Sequence, residues 1–167
     1  MDLTSQTTTP LPTGLDELLR RWGAPVAEGL VWDQGRSNTI SLNEAIDVGG
    51  QERRGREVSL AYPLWPNVGE DGLASDLPVT GGVNGVDLFW VQPVLPSELV
   101  PRNVKRQPLL SSTDLSWIVE PEEALVLDPQ QLDAKAANLL AGGKGRTMEL
   151  AVSLRGRFPS ATSPSGA

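Results

Sequence analysis

Residues Ser111, Ser112 and Thr113 place three hydroxyls in a row, followed by Asp114 and, three positions on, Trp117. A hydroxyl becomes a nucleophile when a base within hydrogen-bond reach takes its proton, most often a histidine held by a third group. The chain has no histidine. A serine–lysine pair would have to use Lys105, Lys135 or Lys144. None of these stands in a Ser-x-x-Lys arrangement, and the Gly-x-Ser-x-Gly elbow is absent. The structural alternative is simpler. Leu109 and Leu110 end a buried strand, Ser111 to Asp114 satisfy exposed turn amides, and Trp117 folds back as a clamp. A weaker functional reading keeps Trp65, Ser111, Ser112, Thr113, Asp114 and Trp117 as contacts for a ligand or partner, with no catalytic residue.

Other constellations fare no better as chemistry. "EPEEALVLD" (120–128) and "GEDGLASD" (69–76) are acidic, but neither forms the compact oxygen-rich loop that a hard cation needs. Both read as solvated turns. "GGVNGVD" and "AGGKGRT" lack the phosphate-loop spacing, and the second leaves a helix to enter a strand, so it reads as a reverse turn. Trp32, Trp65, Trp90 and Trp117 could line a sugar site. Two of them lie in strand-like runs where core packing is commoner, which leaves Trp65, flanked by prolines, as the best exposed candidate. No cofactor or metal is expected.

The totals narrow the classes further. At 167 residues the chain suits one domain that buries about 70% of its unfolded surface. The net charge of −7 argues against a nucleic-acid binder. The densest basic cluster, Arg53, Arg54 and Arg56, is flanked by glutamates and reads as a solvated loop. The absence of cysteine excludes disulfides and thiolate metal sites. No run approaches the roughly 18 apolar residues of a membrane span, and the N-terminus lacks the pattern of a signal peptide.

The elements that must position these residues follow from periodicity. Leu15, Leu18, Leu19 and Trp22 form one stripe of a short helix, capped by Thr13 and closed by Gly23 and Pro25. "LVWD" (30–33) reads as a buried strand, and Ser41 to Glu44 as a capping box for a helical turn. Val58, Leu60 and Tyr62 alternate along a strand that two prolines stop. Val86 to Val91, almost wholly apolar, reads as a strand covered on both faces. "VKRQPLLSS" (104–112) suits an edge strand, 127–143 a second helix capped by Asp128, and 148–158 a strand with one wet face. Residues 1–12 and 159–167 read as flexible segments around a single α/β domain at 13–158.

Five of these pieces occur in an order similar to that of the gliding-motility-type ABC transporter auxiliary proteins. They are "GLDELLRRWGAPVAEGLVWD", "YPLWP", "VTGGVNGVDLFWVQPV", "PLLSSTDLSW" and "ELAVSLRGRFPS". The resemblance implies a flavodoxin-like or amidotransferase-like three-layer α/β sandwich without the amidotransferase's catalytic residues, here an incomplete portion of a larger domain. It implies a non-catalytic auxiliary or scaffold domain on the extracytoplasmic side of the bacterial inner membrane. Its partners would be ABC transporter permease and ATPase subunits, and it would touch the membrane only through a parent chain or those partners. The alternatives are a small-ligand or carbohydrate-binding module and, more remotely, a hydrolase.

Overall fold

A computed structural model describes residues 14–47, 49–97, 100–120 and 129–159. Within them, two α-helices and seven strands follow in the order α1 (Asp16–Trp22), β1 (Leu30–Asp33), β2 (Ser37–Asp47), β3 (Glu52–Gly69), β4 (Gly85–Asp87), β5 (Val104–Ser111), β6 (Ser116–Val119), α2 (Pro129–Gly142) and β7 (Glu149–Gly156). The result is a mixed α/β architecture. The ladders β1–β6, β2–β3–β4 and β5–β7 are all antiparallel. The parallel ladder on which a flavodoxin-like sandwich is built does not occur among the described pairings.

β1 is the centre of the packing because both its faces are covered. Trp32 points one way, into a cluster with Tyr62, Leu64, Val119 and Leu132 of α2. Val31 points the other way, against Val68, Met148 and Leu150. The four-residue run "LVWD" is apolar up to its last position for this reason, as expected of a strand buried on two sides. α2 meets the first cluster through Leu132, Ala136 and Leu139, the i, i+4, i+7 stripe of its sequence. On the other side, Arg106 of β5 pairs with Glu149 of β7 and donates to the Leu95 carbonyl at 3.2 Å, which ties the β5–β7 ladder to the segment beside it.

Several expectations need correction. Ser41 to Ile46 form no helical turn. They belong to β2, which runs 11 residues against β3. The arginine cluster 53–56 is likewise strand rather than loop. β3 does not stop at Pro63 and Pro66 but bulges there: residues 62–65 stand opposite Asn38 alone, between the pairs Ser37–Pro66 and Thr39–Ala61. Prolines cannot donate to a ladder, so the excess residues leave it, and Tyr62, Pro63 and Leu64 are buried.

The expected strand Val86 to Val91 is regular only through Asp87. Beyond it the chain still follows β3, with the Leu88 amide on the Pro66 carbonyl and the Trp90 amide on the Leu64 carbonyl. Trp90, however, sits at φ 55°, and this breaks the pleat and leaves Phe89 55% exposed.

The helix stripe near the N-terminus is also shallower than expected. Leu15 is 52% exposed and no residue of α1 is fully buried. Thr13 and Asp128, expected as caps, lie outside the described residues. The other end of α1 does close as expected. Gly23 is left-handed (φ 84°), its amide donates to the Arg20 carbonyl at 3.1 Å, and the Ala24 amide donates to the Leu19 carbonyl at 2.9 Å.

Candidate functional site

Four segments converge on an open cleft of about 650 Å³. The β1–β2 turn brings Asp33 and Arg36, the end of β3 brings Asn67, the following 3-10 turn brings Asp71, and the β5–β6 turn brings Ser111 to Leu115. Ser111, Ser112, Thr113 and Asp114 therefore come together as neighbours of one cleft. Trp65 and Trp117 do not join them. Trp117 is a β6 residue directly opposite Trp32, not a clamp folded over the turn. Trp65, expected to be exposed, is half-buried beside the α2-side cluster, with its ring edge-on to Phe89 at 5.6 Å.

The residue that organises the cleft is Asp33, which is 2% exposed. Its Oδ1 accepts the amides of Gly35 at 3.0 Å and Arg36 at 3.2 Å, closing the turn between β1 and β2. The same carboxylate reaches across 80 positions of sequence. Oδ1 accepts the Thr113 hydroxyl at 2.5 Å and Oδ2 accepts the Thr113 amide at 2.9 Å. A buried carboxylate is tolerated when hydrogen bonds replace its water. Four donors do so here, two from each turn.

Ser112 is committed as well. It is buried, its hydroxyl donates to the Thr113 carbonyl at 3.0 Å, and its oxygen accepts the Met148 amide at 2.9 Å. Its own amide donates to the Met148 carbonyl at 2.9 Å, which carries the turn onto the start of β7. Gly145 of "AGGKGRT" fits against the same turn. A Cβ there would stand 2.6 Å from the Asp114 carbonyl oxygen and 2.7 Å from the Ser116 nitrogen, so only glycine allows the approach. The neighbouring Arg146 amide donates to the Ser116 carbonyl at 3.0 Å. At the mouth of the cleft Arg36 pairs with Asp71, both more than 40% exposed.

Chemically, the lining holds two committed hydroxyls, Ser112 and Thr113, beside those of Ser111 and Thr147, with neither histidine nor lysine. Arg36 is its cation, and the described residues hold no cluster able to bind a metal ion. Sequence reasoning found the hydroxyl turn but missed Asp33, Arg36, Asn67 and Asp71 as its neighbours. The acid ending "LVWD" was the available signal, because a charge that closes an apolar buried run requires partners.

Away from the cleft, Tyr62, Trp65, Phe89 and Trp90 form an aromatic group. Phe89 stacks on Trp90 at 5.0 Å, and the Trp90 indole N–H donates to the Tyr62 hydroxyl at 3.1 Å. Burial pushes the Tyr62 phenol above its ordinary value, while the indole donor pulls the other way.

No curated protein and no solved structure gives a significant match to the chain. A family match covers almost all of it. The family described as an ABC-type uncharacterized transport system matches residues 1–165, and the chain belongs to this family of ABC transporter auxiliary proteins.

Proposed function

We propose that this auxiliary component of an ABC transport system works without catalysis, as a scaffold that contacts the permease and ATPase subunits. The observation that carries the reading is the commitment of the one nucleophile-like motif. Ser112 and Thr113 spend their hydroxyls on Met148 and on Asp33, and the chain has no histidine to activate them. The described segments then act as one α/β unit of a larger, flavodoxin-like domain on the extracytoplasmic face, of the gliding-motility type. No helix among the described residues is long and apolar enough to cross a membrane, so attachment comes through partners or a parent chain. The reading expects genes for an ATPase and a permease beside its own, and co-expression with their products tests it directly. The tagged chain is expected to purify with both and to show no turnover on ester, peptide or glycoside panels. Turnover lost in Ser111→Ala or Ser112→Ala overturns the reading.

A second reading rests on the cleft itself. Ser111, Asp114 and Thr147 line it with no side-chain partner recorded among the described residues, and a small polar ligand such as a carbohydrate would use them. Trp65 and Trp117 lie outside this lining and would not contribute. Calorimetric titration with saccharides separates the readings, since heat abolished by Asp114→Ala supports ligand binding.

A further inference from the structure

Charge is distributed unevenly among the ladders. Residues 100–111 and 149–159, which hold β5 and β7, carry five cations and one acid, in a chain whose 21 acids outnumber its 14 bases. That acid, Glu149, pairs with Arg106. Arg102, Lys105, Arg155 and Arg157 remain, all exposed and in no ion pair among the described residues.

The ladder gathers these four at one end. Lys105 stands directly opposite Arg155, and Gln107 opposite Ser153. Opposed and alternate residues share a face, so these four side chains lie together. Arg157 extends the row opposite Asn103, whose carbonyl accepts its amide at 3.2 Å. Arg102 sits in the turn that enters β5, closed by the Val104 amide on the Pro101 carbonyl at 2.8 Å. Like charges directly opposite each other destabilise an antiparallel pair. The free fold therefore carries a repulsion that an anion would relieve.

We infer that this face rests on the anionic headgroups of a phospholipid bilayer. The chain belongs to a family of membrane-transport components, so a bilayer is at hand. Burial inside a larger domain would desolvate four cations, which is costly unless each meets a buried partner. A protein interface is built on an apolar core with aromatic anchors. The ladder neighbours of these cations are Asn103, Gln107 and Ser153 instead. A headgroup surface leaves the cations hydrated and offers many phosphates, which the arginine fork matches. The net charge of −7 repels the chain as a whole from such a surface. Contact is therefore confined to this face and fixes how the domain is turned. It adds to attachment through partners or a parent chain and does not depend on the scaffold reading.

Flotation of the full chain with vesicles tests this. Vesicles of equal parts phosphatidylcholine and phosphatidylglycerol are expected to carry it, phosphatidylcholine alone is not, and added salt should weaken the binding. Each cation at an anionic bilayer is worth about 5-fold in partition, so Lys105→Gln with Arg155→Gln should bind about 25-fold more weakly. Lys144→Gln with Arg146→Gln, beyond the other end of β7, makes the same change in net charge and should bind like the unmodified chain. The first pair should unfold at no lower temperature than the unmodified chain, because it removes like charges that face each other. A lower one would make the cations part of the fold's own packing and overturn the inference. No binding to the anionic vesicles, or equal binding to phosphatidylcholine alone, overturns it too. So does equal weakening in the two double variants, the mark of net charge alone. Retention on immobilised polyglutamate without vesicle binding assigns the face to an acidic protein and overturns it as well.

Discussion

The turn Ser111–Ser116 and the segment Leu88–Val91 reverse the roles their compositions suggest. The first is rich in groups that do chemistry elsewhere, yet it is a joint. Asp33, Thr113, Ser112 and the Met148 backbone bind one another across three strand ends. The second is almost wholly apolar and reads as core, yet it presents Phe89 to solvent on a stacked aromatic base, held there by a left-handed Trp90. Polar residues are informative when they are buried and apolar ones when they are exposed. By that measure the cleft wall is architecture and the aromatic group is the less explained surface.

Mutations can break this contrast, beginning with the largest expected effect. Asp33→Ala removes the acceptor for four donors at the centre of the joint, and stranding several of them should cost about 3 kcal/mol in chemical denaturation. A loss below about 1 kcal/mol would mean that water replaces the carboxylate and that the turn is not held by it. Gly145→Ala comes next. Its Cβ has no room against the Asp114 carbonyl and the Ser116 nitrogen, so a loss of about 1–3 kcal/mol is expected, as for other overpacked sites. Phe89→Ala should lie lower, at about 1 kcal/mol, because the ring is half in water and contributes mainly its aromatic contacts.

The smallest effect is a dependence on pH at the base of the aromatic group. Tyr62 is the chain's single tyrosine, so phenolate absorbance reports it alone. Burial raises its folded value above the ordinary 10.0, so the folded state holds the phenolic proton more tightly than the unfolded chain does. The corresponding stability is fully present below pH 10.0 and is lost as pH rises through the folded value. Native titration should therefore lag behind titration in denaturant. Trp90→Phe, which removes the indole donor to the phenol oxygen, should widen the lag.

What the sequence made legible follows from the range of the forces involved. "LVWD", α2 and β7 were readable because their periodicity and punctuation are local, and Gly23 closed its helix for the same reason. The capping-box spacing of Ser41 and Glu44 misled because pairing with β3 along eleven residues outweighs a local cap. Pro63 and Pro66 marked a disruption correctly, but a bulge that buries Tyr62 and Leu64 looks the same in sequence as a strand end. At the site, the hydroxyl turn was readable in part: Ser112 and Thr113 hold the amides of Met148 and Leu115 as expected of turn residues, whereas Ser111 and Asp114 make no side-chain bond among the described residues. Its partner Asp33 was not, since a separation of 80 residues leaves no local signal of the contact.

The central claim is that Thr113 and Asp33 form a structural joint and not a catalytic pair. A double-mutant cycle with Asp33→Asn and Thr113→Val, read by denaturant unfolding, tests it most directly. The account predicts a coupling energy of about 1–3 kcal/mol between the two sites, with co-purification of the ATPase and permease retained in whichever variants stay folded. Additive stability effects, together with any turnover that Thr113→Val abolishes, would contradict it.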